Sequence, residues 1–344
     1  MSAPTVSGPP PTPAGERRKV TERQRILPSP VTGQELVLIG VIAVLWIVLW
    51  LSTPAFLTAN SLQPLLGAVA PIAVIGIGMT IVIITGGIDI SVSGIIMVCA
   101  VVVAKTLVDY ETSIWVVLLM SIGIGALLGL INGLLIAYGR VHAIIITFGT
   151  TNIFQWLGLQ IFGGNTVSGI PDTLATFGNG AAGRTWGVPH AFAITVVLAA
   201  IAWWYLRHTA GGRHYFAIGG DPVAARLAGV RVRPRIASAY VLTGLLAGLG
   251  ACFLVAQSST LAQNVGTGKE LAVIAAVVIG GTSIMGGRGS VLGTLLGALL
   301  VQTVSSGVTQ LGWPSQLSDL FVGIAIIVAV GADLIRERAR RRAR

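Results

Sequence analysis

The side chains of this sequence that could handle a ligand are neutral hydroxyls, amides and single carboxylates. Their densest group is the run Thr85-Gly86-Gly87-Ile88-Asp89-Ile90-Ser91-Val92-Ser93-Gly94. Paired glycines followed by Asp and Ser break a helix and can cap the next one. A break between two apolar stretches must be buried in protein or line a wet cavity, because its backbone polar groups need partners. Thr85, Asp89, Ser91 and Ser93, with Asn132, Thr147 and Thr150 from neighbouring stretches, are therefore candidates for lining a polar path. They offer hydroxyl, amide and carboxylate groups without positive charge, which suits a neutral polyol better than an anion. A plain helix–loop–helix turn, whose polar groups only satisfy backbone and interhelical bonds, reads the same residues equally well.

Bond-making chemistry finds no support. Gly266-Thr267-Gly268-Lys269 is followed by Glu270, and no G-x-x-x-x-G-K-[ST] occurs, so the chain cannot bind and hydrolyse ATP by that route alone. His142, His190, His208 and His214 show no His/Asp or His/Glu metal spacing. Cys99 and Cys252 lie inside apolar runs with neither metal nor redox spacing, and read as small core residues. No catalytic residue, metal site or cofactor is expected in this chain.

A second segment is built for contact. In Gly219-Gly220-Asp221-Pro222-Val223-Ala224-Ala225-Arg226-Leu227-Ala228-Gly229-Val230, Asp221 is a good N-cap, Pro222 fits the first turn and Gly229 fits a left-handed stop. The result is a helix of about two turns that turns Val223, Ala224 and Leu227 toward something other than water. In a basic loop such a face reads as a docking peg for a partner, with packing on its own protein as the alternative. A third segment, residues 280–289, holds five glycines and brackets a tight turn.

These segments sit in an apolar frame. Of the 344 residues 54% are hydrophobic and 10% charged, against about 25% charged in soluble domains. That leaves too little polar surface to cover a core, and bilayer is the solvent that suits it. Runs long enough to cross, roughly 20 residues each, fall near 36–53, 62–84, 91–108, 113–138, 142–162, 189–206, 236–257, 271–286, 290–311 and 317–335. The net charge of +10 could suggest nucleic acid, but position argues otherwise. With ten spans and the N-terminus inside, only Lys105, Arg184 and Lys269 of the 22 basic residues fall outside. That asymmetry predicts both termini in the cytoplasm. Residues 1–35 and 336–344 read as basic cytoplasmic tails, the first disordered, around a transmembrane domain at 36–335.

Small residues recur every fourth position at Ser121, Gly125, Gly129, Gly133 and Ala137, at Gly244 and Gly248, and at Gly289, Gly293 and Gly297. Such rows let helix backbones approach closely in lipid. The two longest fall in the third helix of two four-helix blocks, spans 2–5 and 7–10, which suggests an inverted-topology repeat.

The segments 86–94, 218–230 and 271–293, with Asn132-Gly133-Leu134 and Ile146-Thr147-Phe148-Gly149-Thr150, resemble the permeases of bacterial ribose/xylose-type ABC importers. That branch also includes rhamnose and autoinducer-2 permeases. The match runs in order over roughly 36–335. The resemblance implies an all-α integral membrane fold of about ten transmembrane helices, type II importer-like, in the cytoplasmic (plasma) membrane. It implies a second permease subunit in a homo- or heterodimer, a cytoplasmic ATP-binding subunit that binds the ATP, and an extracytoplasmic sugar-binding protein. Lipid surrounds the chain, and no nucleic acid is expected. By the same resemblance Asp221, Pro222, Val223, Ala224, Ala225, Leu227 and Gly229 form the helix that couples to the ATPase. Val223 stands where other importers often carry Glu, and Ser93 where Gly is common. The implied cargo is a small sugar such as ribose, xylose or rhamnose, or sugar-like autoinducer-2. A secondary transporter or facilitator acting alone is the alternative, and a membrane enzyme a more distant one.

Overall fold

The computed structural model describes residues 33–342 apart from 111 and 179, with side chains described to residue 331. The expected tails at 1–35 and 336–344 fall outside these residues, except for 33–35 and the backbone of 336–342. Within them the chain is helical: α1 (Gly33–Ser52), α2 (Ala59–Ile84), α3 (Val92–Tyr110), α4 (Ile114–Gly139), α5 (Ala143–Phe162) and α6 (His190–His208) come first. Then follow α7 (Ala210–Gly220), α8 (Pro222–Leu227), α9 (Val232–Val255), α10 (Lys269–Ile279), α11 (Val291–Gln310) and α12 (Gln316–Arg342). Each of the ten expected spans has its helix, with α7 and α8 intervening. Helices dominate because an apolar run in lipid must satisfy every backbone group within itself.

Among the described residues seven helices (α1, α2, α3, α4, α6, α9 and α11) are long and apolar enough to cross a membrane. The expected eighth span, 271–286, is corrected: α10 has 11 residues and stops at Ile279. Gly281 at φ +98° turns the chain out of the helix. At 1.5 Å per residue α10 reaches about 16 Å, roughly half a hydrocarbon core.

Glycine sets the closest helix contact. Gly125, Gly129 and Gly133 of α4 lie directly on the backbone of α9 at Gly244, Tyr240 and Ala237, and a side chain at Gly133 would sit 2.7 Å from the Ala237 carbonyl. The α11 tract packs the same way, Gly293 on Gly280 and Gly297 on Ala276 of α10. Helix pairs obey the exchange an inverted repeat requires: α4 meets α9 as α11 meets α2, and α3 meets α9 as α10 meets α2. Likewise α3 meets α4 and α5 as α10 meets α11 and α12.

At the centre runs α2, packed by α6, α9, α10 and α11. Pro71 lacks an N–H and so frees the Gly67 carbonyl. Gln257 Nε2 donates to that oxygen at 3.0 Å, and Gln302 Nε2 donates to the adjacent Ala68 carbonyl at 2.9 Å. Outward faces carry large apolar side chains, among them Trp115, Leu119, Ile145, Trp156 and Ile327. A surface of this kind suits lipid.

Two ends differ. One gathers the α2–α3 break, the α7 C-terminus and the 280–290 turn, where Gly287 N donates to Ile84 O at 2.8 Å. Arg140, Arg207, Arg226 and Arg288 flank helix ends there, so it is the basic end. The opposite end holds β1 (Val167–Ser168) paired with β4 (Thr260–Leu261), and β2 (Arg184–Thr185) paired with β3 (Val188–Pro189), both antiparallel.

Candidate functional site

The α2–α3 break is held by three other helices. Asp89 Oδ1 accepts from Ser91 N at 3.0 Å and from Ser91 Oγ at 2.5 Å, an Asx turn that starts α3. Asn132 Nδ2 of α4 donates to Ser91 Oγ at 2.6 Å. Thr147 Oγ1 of α5 donates to the Ile88 carbonyl at 3.2 Å. From α9 the Tyr240 hydroxyl lies against Gly87, where a side chain would collide with it. Asp89, Ser91 and Asn132 are thus one side-chain network, with Thr147 bonded to the backbone beside it, and all four are fully buried.

Three candidates stand apart from it. Thr85, Ser93 and Thr150 donate their hydroxyls to carbonyls three residues back, Val82, Ile90 and Thr147. Sequence reasoning missed Tyr240, which is buried among these groups. An aromatic in an apolar run gives no sign of which neighbour its hydroxyl meets. It also missed Gln257 and Gln302, although a glutamine within an apolar stretch is itself a signal for a backbone carbonyl to be capped.

Chemically the network holds and hydrogen-bonds. Two of its buried atoms, Asp89 Oδ2 and Asn132 Oδ1, have no hydrogen-bond partner, and neither has the neighbouring Tyr240 OH. Among the described residues no group of three or more His, Cys, Asp or Glu could hold a metal ion.

The loop helix α8 forms from its own caps. Asp221 Oδ1 accepts from Val223 N at 2.8 Å and Ala224 N at 3.0 Å, Pro222 opens the first turn, and Gly229 closes it at φ +85°. Val223 is 64% and Leu227 85% exposed, one turn apart on one face, with Ala224 also exposed. Ala225 is different. It is buried against Ile218, Val230 and Val232, so within the expected docking set it anchors the helix to its own chain.

Residues 61–330 match the family described as branched-chain amino acid transport system / permease component. The ribose import permease protein of Escherichia coli (strain K12) is 36% identical over 299 residues, 87% of this chain and 91% of that protein. The fructose import permease protein of Rhizobium meliloti is 35% identical, covering 81% and 79% of the two chains. An autoinducer 2 import system permease protein of Klebsiella pneumoniae is 30% identical, covering 88% and 86%. No solved structure matches.

Proposed function

We propose that this chain, which belongs to the branched-chain amino acid transport system / permease component family, is the membrane permease subunit of an ATP-driven importer for a small sugar. It is a multi-pass membrane protein of a transport family, and the cargo is the finer step. Although the family description names amino acids, the relatives at 35–36% identity are by name ribose and fructose permeases. Their match along nearly the whole chain is the observation that carries the reading. The hydroxyl, amide and carboxylate groups at the α2–α3 break, which bring no positive charge, support it, because they suit a neutral polyol better than an anion.

In this reading the basic end is cytoplasmic and both termini lie there. A second permease copy or homologue stands beside the chain, a separate ATPase docks on α8, and an extracytoplasmic binding protein delivers the sugar. No step in this chain makes or breaks a bond. Thr85, Asp89, Ser91, Ser93, Asn132, Thr147 and Thr150 border the inner part of the route. Asp89 Oδ2 and Asn132 Oδ1, unpartnered while the break is closed, are the acceptors that a sugar hydroxyl would meet when α3 and α4 part.

The test is uptake by proteoliposomes carrying the permease with its cognate ATPase and binding protein. Labelled ribose or fructose should enter only with ATP inside and binding protein outside. Uptake by the permease alone, or ATP hydrolysis stimulated only by amino-acid or peptide binding proteins, overturns the proposal.

A further inference from the structure

The C-terminal half of α11 carries Gln302, Ser305, Ser306, Thr309 and Gln310. These positions follow the i, i+3, i+4, i+7, i+8 spacing of one helix face. A polar stripe on a helix surrounded by lipid must face protein or a water-filled space. Here it faces the first turns of α2, and between the two helices lies a groove of about 330 Å³. That volume falls within the range of small-molecule sites, about 300–1,000 Å³. Asn60 and Ser61 line the α2 side, together with Pro64, which removes the helical donor of the Asn60 carbonyl.

The groove holds amides and hydroxyls and no ionisable side chain. Part of this capacity is spent internally: Gln310 Nε2 donates to Ser306 Oγ at 3.0 Å, and Gln302 Nε2 caps Ala68. Part is not. Among the described residues, the Asn60 side chain and the Ser305 hydroxyl make no hydrogen bond. Its place is the end away from the basic loops, and it is separate from the buried Asp89 network. We infer that this α2–α11 groove binds a neutral polyhydroxylated ligand, and is where the sugar enters the permease after leaving the binding protein. The inference rests on the function proposed above and adds the location and its residues.

The experiment uses the complete importer in proteoliposomes, with ribose and fructose as probes. Ser305→Cys and Ser306→Cys place thiols in the groove, and Val197→Cys places one on the exposed face of α6 as a lipid-facing control. The native Cys99 and Cys252 are buried and contribute no background. A membrane-impermeant thiol reagent added outside should modify both groove cysteines at least tenfold faster than Val197→Cys. Saturating ribose or fructose should slow that modification, and modified vesicles should lose at least nine-tenths of uptake while still hydrolysing ATP. Groove thiols that do not react, or that react with uptake intact, overturn the inference while leaving the proposed function standing. Wild-type vesicles that take up neither sugar overturn both.

Discussion

Replacing Leu227 by Asp alters a side chain that the chain does not use for its own packing. Leu227 is 85% exposed on α8, and its neighbour on that face, Val223, is 64% exposed. A substitution at so open a position changes stability by about 0.5 kcal/mol or less. If the face seats in a groove of the ATPase, burying the Leu side chain contributes about 1.5–3 kcal/mol to the complex. Leu227→Ala should therefore weaken the permease–ATPase complex roughly 10- to 150-fold. Leu227→Asp adds an unpaired carboxylate to the contact, a further several kcal/mol, and should abolish coupling. Ala225→Glu separates docking from folding, because Ala225 packs on Ile218, Val230 and Val232 of its own chain. That variant should lower the yield and unfolding temperature of the permease itself. The assay pairs pull-down of the ATPase with sugar uptake, each normalised to folded permease by gel filtration. Leu227→Asp with normal uptake at normal expression refutes α8 as the coupling element.

Three further outcomes are expected. Ser2→Cys and Arg344→Cys should resist a membrane-impermeant thiol reagent in intact cells, and labelling of either breaks the proposed topology. Asp89→Asn keeps an acceptor for Ser91 and should retain uptake, whereas Asp89→Leu leaves buried donors unpaired at a cost of about 1–3 kcal/mol and should lose it. If both variants transport normally, the Asp89 network has no part in the route. Gly129→Leu drives a side chain into the Tyr240 carbonyl, while Gly149→Leu meets nothing within 4 Å. The first should destabilise the permease by about 1–3 kcal/mol or more and the second should be silent, measured by thermal unfolding in detergent.

Features whose causes lie within a few residues were legible in the sequence. The ten apolar runs became helices because lipid leaves the backbone no other partner. The 221–229 helix could be read from its caps, since Asp221 bonds only two and three residues ahead. The glycine rows marked close contact correctly, though not that the α4 row would meet α9 at Gly244 and Gly248. The exception is local as well: the 271–286 span looked continuous by hydropathy, yet Gly280 and Gly281 ended it at Ile279.

What only the tertiary structure decided is which side chains meet. Asn132 reaches Ser91 across 41 residues and Gln302 reaches Ala68 across 234. The Tyr240 hydroxyl settles on Gly87, Ala225 turns inward while Leu227 turns out, and the α11 stripe finds α2. In a soluble protein the apolar face of a helix announces the core. Here lipid chains are as apolar as the interior, so an apolar side chain carries little information about which way its helix faces. Composition therefore fixes that a segment spans. Its rotation and its partners are set by close backbone packing and by the pairing of a few polar groups, which exist only once the helices have assembled.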